Sequence, residues 1–271
     1  MGNALTQLVF QPPEITYIHA RKHLIWLHTK KGMKIPAFYI DRRSTVTILF
    51  SHGNAEDLGM IYEHCVEFTK EMNVNLLAYD YEGYGKASGL PSESGCYEDI
   101  DAAYIYLTDV LHQYAQNIVL YGRSLGSGPS CYLAERLSKS NIRLGGLVLQ
   151  SSLLSVFRVA FNFRFTLPGD MFPNVDRIAN ICCPLLVIHG TRDEVVPFWN
   201  GESLFLQAPV RWRARWDIIK QKRGHLKYSQ YILSFIIPID SSALFENDYS
   251  KYIDLYGSME QGTTTLKLLR K

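Results

Sequence analysis

The chain has 271 residues, of which 47% are hydrophobic and 20% are charged. This composition is typical of a globular protein and excludes a largely disordered chain, and single α/β domains of this length are common, so we expect one domain over residues 1–271. The 28 basic residues nearly balance the 26 acidic ones, so the total charge does not indicate a nucleic-acid partner.

The amino-terminal residues predict a lipid anchor. The first six residues, MGNALT, match the M-G-x-x-x-[ST] pattern of N-myristoylation and make Gly2 the acyl acceptor after removal of Met1. Residues 1–43 also hold seven basic residues against two acidic ones, a net charge of +5. One myristoyl chain binds a membrane only marginally, and basic groups near an anionic surface strengthen that binding. We therefore expect residues 1–12 to be an anchor segment and the protein to attach reversibly to a cytoplasmic membrane face.

Strand-like and helix-like segments alternate along the rest of the chain. Residues 23–27 and 35–40 predict an antiparallel hairpin at the edge of a sheet. Short apolar runs without alternation predict strands buried on both faces of a parallel sheet, at residues 46–50, 74–79, 118–121, 144–149 and 184–189. Apolar residues at three- and four-residue spacing predict helices between them, at residues 57–72, 97–115 and 128–137. This order predicts a doubly wound α/β sheet.

Three other segments have less regular patterns. The long segment 152–181 contains the Phe-rich residues 157–165 and predicts either a cover over a binding cleft or a helix packed into the core. Residues 211–216, RWRARW, alternate at period two, which is typical of a half-buried strand rather than of a nucleic-acid surface. Residues from about 246 to 271 form a carboxyl-terminal extension. We expect no signal peptide and no transmembrane helix, because no apolar run approaches the required length.

The most informative motif is a G-x-S-x-G sequence between a predicted strand and a predicted helix, at residues 122–126. A serine on such a sharp turn projects its hydroxyl above the sheet. Glycines are required two residues before and after it, because larger side chains would collide as strand and helix close together. We interpret Ser124 as a nucleophile, and Gly122 and Gly126 as the glycines of its nucleophile elbow.

A nucleophilic serine needs a general base and an acid that orients the base, and in this architecture their order is Ser, acid, His. Only His189 and His225 follow Ser124. We expect His189 to pack locally because it precedes the acid, so His225 is the predicted base. Asp193 follows a predicted strand and is the predicted acid. The alternative for Asp193 is an Asx-turn or a helix cap, and Glu194 is the nearest substitute.

Acyl transfer also needs two N–H donors for the oxyanion. The backbone N–H of Leu125, directly after the serine, is one predicted donor. Residues 49–55, LFSHGNA, place a His-Gly pair directly after an early strand, and the backbone N–H of Asn54 is the second predicted donor. We interpret His52 as a residue that fixes this loop rather than as a second base.

The sequence does not predict a cofactor. No cluster of His, Cys and carboxylates has metal-ligand spacing, and no Gly-rich loop ends in Gly-Lys-Ser/Thr, so we expect neither a metal nor a nucleotide. The cysteines are odd in number and include no C-x-x-C pair, which predicts free and mostly buried thiols at Cys65, Cys96, Cys131, Cys182 and Cys183.

These motifs give the chain a resemblance to a known family. It resembles the cytosolic, membrane-associated branch of α/β-hydrolase domain-containing proteins, and most closely the seventeenth subgroup, known as palmitoyl-protein thioesterases. The resemblance implies an α/β-hydrolase fold with Ser124, Asp193 and His225 at the positions of the family triad. The shared strings cover most of residues 10–235 and include FQPP at 10–13, FSHGNAEDLG at 50–59, YDYEGYGKASG at 79–89, GRSLG at 122–126 and VIHGT at 187–191.

The chain departs from that family in two places. The family usually begins with a cluster of palmitoylated cysteines, whereas the first cysteine here is Cys65. Around the base, the family tends to have small residues before Gly-His and an acidic or amide residue after it. Here KQKR at 220–223 precedes Gly224-His225 and LK follows it.

The residues and the resemblance together predict a serine hydrolase that cleaves an acyl ester or thioester through an acyl-enzyme, with depalmitoylation of proteins as the leading function. A lipase or carboxylesterase acting on small lipid esters is the alternative, and a peptidase is more distant. A non-catalytic scaffold with a hydrolase fold is the alternative outside enzymes, and an intact Ser, acid and His in the required order argues against it. We expect an acylated protein or a lipid ester as substrate.

Overall fold

The described residues form one eight-stranded sheet in the computed structural model, which describes residues 9–17, 24–160, 168–209, 213–218 and 232. The order across the sheet is β1-β2-β4-β3-β5-β6-β7-β8. The predicted hairpin and the five predicted buried strands are present, and the alternating segment at 211–216 contributes to the last strand. The strands are β1 (Leu24–His28), β2 (Lys34–Ile40), β3 (Thr47–Ser51), β4 (Asn75–Tyr79), β5 (Ile118–Arg123), β6 (Gly146–Gln150), β7 (Leu185–Gly190) and β8 (Arg213–Ile218).

The sheet places several strand ends at one edge. Strands β1 and β2 pair antiparallel, β2 pairs antiparallel with β4, and the pairs among β3 to β8 are parallel. The carboxyl ends of β3 to β8 therefore share an edge. The chain leaves β3 toward β4 on one side and leaves β5 toward β6 on the other. Open α/β sheets bind their ligands at such a reversal, so the loops after β3 and β5 mark the expected site.

Helices cover both faces of the sheet. Along β3, Ile48 and Phe50 pack in the cluster that contains α1 residues, whereas Leu49 packs in the cluster that contains residues of α2 and α3. Burial on both faces explains why the strand sequences do not alternate. The helices are α1 (Leu58–Met72), α2 (Glu93–Ile105), α3 (Ser127–Lys139), α4 (Val156–Ala160), α5 (Asn174–Arg177) and α6 (Trp199–Gln207).

The predicted helix at 97–115 is the least accurate of the element predictions. Helix α2 begins at Glu93, because the Ser92 side chain accepts a hydrogen bond from the N–H of Gly95 at 2.9 Å and caps the helix. The α-helix ends at Ile105, and a π-helical stretch at Tyr106–Val110 follows it directly. The serine cap was not predicted, because the apolar pattern becomes regular only after Ser92.

The remaining global predictions concern thiols and membrane spans. All five cysteines are free, and of these only Cys182 is exposed. None of the helices in the described part of the chain is both long and apolar enough to cross a membrane. The predicted α/β architecture, a mostly parallel central sheet with helices on both faces, is confirmed.

Candidate active site

Ser124 lies on a strained turn between β5 and α3 at the carboxyl edge of the sheet. Its φ is +52°, in the left-handed region that non-glycine residues seldom adopt. A side chain at Gly122 would lie 2.5 Å from the carbonyl oxygen of Gly126, and a side chain at Gly126 would overlap the carbonyl oxygen of Ser51. Close approach of the backbone therefore excludes larger residues at both glycines. The strand, strained serine and helix together have the geometry of a nucleophile elbow.

The loop after β3, residues 52–57, lies against this turn. The backbone carbonyls of Ser51 and His52 approach Gly126 so closely that no Cβ fits there. Leu125 and Asn54, the two predicted oxyanion donors, thus belong to segments that contact each other at the sheet edge. The backbone N–H groups of these two residues are the donors predicted for the oxyanion.

The side chain of Asn54 holds neighbouring segments in place. Its Nδ2 donates to the carbonyl oxygen of Val9 at 2.6 Å. Its Oδ1 accepts from the N–H of Gln11 at 3.0 Å and from the Tyr84 hydroxyl at 2.6 Å. The amide side chain therefore joins the loop after β3 to the amino-terminal segment and to Tyr84.

His52 is fully buried within this loop. Its Nδ1 lies 2.8 Å from the carbonyl oxygen of Gly53, and its own carbonyl oxygen accepts from the Tyr81 hydroxyl at 2.8 Å. The imidazole ring lies 4.3 Å from the Tyr81 ring, and its Nε2 lies 3.4 Å from a carboxylate oxygen of Asp80. These contacts agree with the interpretation of His52 as a loop-fixing residue.

Asp193 follows β7, three residues after the strand ends. Because β6 separates β5 from β7, the strand that leads to Asp193 is about 10 Å from the strand that leads to Ser124, at two strand spacings. The Asp193 Oδ1 accepts from the N–H groups of Val195 at 3.0 Å and Val196 at 2.9 Å. The Asx-turn weighed as an alternative is thus present, and it also orients the carboxylate. Glu194 is exposed.

His189 packs locally at the end of β7. Its side chain is buried, and its Nε2 lies 2.8 Å from the carbonyl oxygen of Val196 and 3.8 Å from a carboxylate oxygen of Asp193. Burial lowers the pKa of His189 below its ordinary value, although the Val196 carbonyl opposes the shift. The buried ring and its contact with the Val196 carbonyl agree with the prediction that His189 packs locally.

Two predicted site residues, His225 and Gly2, lie outside the described residues. Strand β8 is parallel to β7, so Ile218 at its end lies at the same sheet edge as the ends of β5 and β7. The chain therefore starts toward His225 from the edge that carries Ser124 and Asp193.

The segment at 152–181 is described only in part. Helix α4 packs its Val156 into the core, and Phe157 and Val159 pack partly against it. The Arg158 guanidinium is buried 3.7 Å from the carboxylate of Asp170. For residues 156–160 the alternative of a helix packed into the core therefore fits the structure. The rest of the Phe-rich stretch, from 161 to 167, lies outside the described residues, so its predicted role as a cover remains a prediction.

An ion pair that the sequence analysis did not predict lies beside the predicted nucleophile. Arg123 directly precedes Ser124, and its guanidinium pairs with the carboxylate of Glu56 in the loop after β3. The sequence signals were one basic residue, Arg123, inside the G-x-S-x-G motif and two acidic residues, Glu56 and Asp57, in the loop after β3. Within the described part of the chain, no group of three or more His, Cys, Asp or Glu residues could hold a metal ion.

The fold and the arrangement at the sheet edge define an α/β hydrolase. Solved structures support the fold. A Pyrococcus furiosus esterase superposes with a TM-score of 0.70 at 16% identity, over 86% of this chain and 99% of the esterase. Est1E from Butyrivibrio proteoclasticus, solved with ferulic acid, superposes with a TM-score of 0.61 at 16% identity, over 78% of this chain and 96% of that protein.

Curated relatives identify the family. Alpha/beta hydrolase domain-containing protein 17B of Homo sapiens is 35% identical over an alignment of 240 positions that covers 77% of this chain and 82% of that protein. Protein 17C of Mus musculus is 40% identical over 193 residues, which are 70% of this chain and 58% of that protein. No family model matches the chain. The chain belongs to the alpha/beta hydrolase domain-containing protein 17 family, which confirms the resemblance and supports a hydrolase.

Proposed function

We propose that the protein is a serine hydrolase that cleaves acyl thioesters through an acyl-enzyme, with S-palmitoylated proteins as substrates. The observation that carries the proposal is the geometry at Ser124. A serine forced to positive φ between a strand and a helix, beside the loop after β3, is where a nucleophile and two oxyanion donors converge in this fold. Membership of the family supports the hydrolase class.

In the proposed mechanism, His225 takes the proton of the Ser124 hydroxyl as the oxygen attacks the acyl carbonyl carbon. The backbone N–H groups of Asn54 and Leu125 stabilise the resulting oxyanion. His225 then protonates the leaving thiol, leaving the acyl group on Ser124. A water molecule, deprotonated by His225, attacks that ester, and the fatty acid leaves as His225 returns the proton to the Ser124 oxygen. Asp193 orients His225 and stabilises its charged form throughout.

The proposal includes reversible attachment to a cytoplasmic membrane face through myristoylated Gly2. The hairpin turn between β1 and β2 carries exposed Lys30 and Lys31, and the exposed Lys34 follows as the first residue of β2. Because β2 runs antiparallel to β4, that turn lies at the sheet edge that also carries Ser124. The basic turn and the proposed catalytic serine would thus approach an anionic membrane from the same side, where lipidated cysteines of other proteins are concentrated.

The enzymatic proposal is tested with purified protein, an S-palmitoyl peptide and a glycerol ester of the same chain length. We expect faster turnover of the thioester, and loss of both activities in Ser124→Ala. Ser130→Ala, which removes a buried hydroxyl from α3, is the matched control and should keep activity. A preference for the glycerol ester would favour the lipase alternative, and turnover that survives in Ser124→Ala would refute the proposed nucleophile.

The membrane proposal is tested by fractionating cells that express the wild type, Gly2→Ala, and a variant with Lys30, Lys31 and Lys34 neutralised. We expect Gly2→Ala to move largely to the cytosolic fraction and the lysine variant to move in part, because the acyl chain and the basic residues each supply only part of the binding. If Gly2→Ala stays as membrane-bound as the wild type, the myristoyl anchor is wrong.

A further inference from the structure

One carboxylate, outside the proposed triad, joins the two segments that would form the oxyanion hole. Glu56 Oε1 pairs with the guanidinium of Arg123, the residue directly before Ser124. Glu56 Oε2 accepts a hydrogen bond from the N–H of Gly53 at 2.7 Å. The same side chain therefore binds both the turn that carries the proposed nucleophile and the loop that carries Asn54.

The contacts of Gly53 determine how the next peptide group is oriented. Its N–H is bound by Glu56, and its carbonyl oxygen lies 2.8 Å from His52 Nδ1, which must donate because a carbonyl only accepts. The Gly53 carbonyl and the Asn54 N–H belong to one planar trans peptide and point in opposite directions. Fixing Gly53 at both its N–H and its carbonyl therefore fixes the direction of the Asn54 N–H.

The ion pair is sheltered by the protein. The side chains of Arg123 and Glu56 are 21% and 25% exposed, and the guanidinium lies 5.8 Å from the centre of the Phe50 ring. Burial alone would raise the pKa of Glu56, but the hydrogen bond and charge of Arg123, helped by the Gly53 N–H, lower it below its ordinary value. Glu56 is therefore a carboxylate at neutral pH, a strong acceptor for the Gly53 N–H.

We propose that Glu56 and Arg123 are positioning residues for acyl transfer: Glu56, held by Arg123, orients the Gly53–Asn54 peptide so that the Asn54 N–H faces the developing oxyanion. This inference rests on the proposed function. Preset donors are effective because they need no reorganisation as charge develops. The pair would act on the transition state more than on substrate binding, which separates it from a merely structural ion pair.

The test measures kcat and KM for the S-palmitoyl peptide together with the inhibition constant of a trifluoromethyl ketone. The ketone adds to the serine, and its hemiketal oxygen occupies the oxyanion hole. Removing an oxyanion donor outright costs about 10²- to 10³-fold in kcat, so for a misdirected donor in Glu56→Ala we expect a loss of about 10- to 100-fold. KM should stay unchanged, and the inhibition constant should rise by the factor by which kcat/KM falls.

Conservative variants provide the rescue. Glu56→Gln keeps an acceptor for the Gly53 N–H and should recover most of the activity lost in Glu56→Ala. Arg123→Gln keeps the Glu56 carboxylate but removes its partner. Its kcat should lie between those of Glu56→Gln and Glu56→Ala. As a matched control, Arg136→Gln breaks the pair between Arg136 and Asp101, 2.8 Å apart on α3 and α2, and should leave kcat and inhibition unchanged.

The outcomes separate this inference from the proposed function. If Glu56→Ala and Arg123→Gln both keep the wild-type kcat, or if they raise only KM, the positioning role is wrong. The role is also wrong if the two variants lose kcat only in proportion to a fall in their thermal midpoints, and if Arg136→Gln shows the same fall and the same loss of kcat. If the wild type hydrolyses no acyl thioester or ester, or if Ser124→Ala remains active, the proposed function fails instead.

Discussion

The loop after β3 and the loop after β7 both reach the candidate active site, but they are held in different ways. The first is held by distant parts of the chain: His52 is fully buried against Tyr81, and the Asn54 side chain binds Val9, Gln11 and Tyr84. The second is held largely by local contacts: the N–H groups of residues 195 and 196 donate to the Asp193 side chain, and the Val196 carbonyl contacts His189 at the end of β7.

The difference indicates how each half of the site achieves its geometry. Two N–H donors must face one oxygen atom, and that precision comes from tertiary contacts that several strands and the amino-terminal segment share. A carboxylate that only orients a histidine can be set by a short turn. Substitutions near the β3 loop should therefore lower both the unfolding free energy and kcat. Substitutions in the β7 loop can lower kcat while leaving the unfolding free energy nearly unchanged.

The largest expected effect is on the acid and the base. Asp193→Asn keeps an acceptor for the Val195 and Val196 N–H groups but removes the charge, so we expect about 10⁴-fold lower kcat with stability nearly unchanged. Asp193→Ala should lose a further ~1 kcal/mol of unfolding free energy, because the turn is lost as well. Steady-state kinetics and urea unfolding measure the two effects separately.

Two comparisons check the assignment of these roles. His225→Ala should lose nearly as much activity as Ser124→Ala, whereas His189→Ala should lose activity only as far as it loses stability. Glu194→Gln should behave like the wild type. High activity in Asp193→Asn combined with low activity in Glu194→Gln would show that the acid was assigned to the wrong residue.

The second effect compares Gly126, which packs against the start of the β3 loop, with Gly190, which precedes the β7 loop. A methyl group at Gly126 would overlap the Ser51 carbonyl, backbone against backbone, so Gly126→Ala should destabilise the fold by about 3 kcal/mol or more and abolish activity. A methyl group at Gly190, which precedes the β7 loop, would come no closer than 3.8 Å to Asp193. Gly190→Ala should change unfolding free energy by less than about 0.5 kcal/mol. Equal losses in the two variants, measured by urea unfolding, would remove the proposed distinction.

Sequence and structure agree where the determining pattern is local. The buried parallel strands and the glycines around Ser124 were readable because each depends on residues close together in the chain. The ion pair between Glu56 and Arg123 could not be predicted from the sequence, because the two residues become neighbours only when β3 and β5 pair. The side-chain contacts of Asn54 were missed for the same reason, since they depend on where the amino-terminal segment packs.

The smallest expected effect is a pH dependence of stability at His189. Burial lowers its pKa in the folded state below the ordinary 6.5, so the unfolded chain binds a proton first as the pH falls. His189 should therefore reduce stability as the pH falls below about 6.5 and until the folded-state pKa is reached. The thermal midpoint should drop more between about pH 7.5 and about pH 5.5 in the wild type than in His189→Gln. Equal drops would show that His189 does not contribute.

The most direct test of the account is to locate the activated serine. The purified protein is treated with a fluorophosphonate, which reacts only with an activated serine, and the adduct is mapped by mass spectrometry. The account predicts one adduct, on Ser124, that is absent in Ser124→Ala and formed normally in Ser130→Ala. An adduct on a different residue, or labelling that persists in Ser124→Ala, would contradict it.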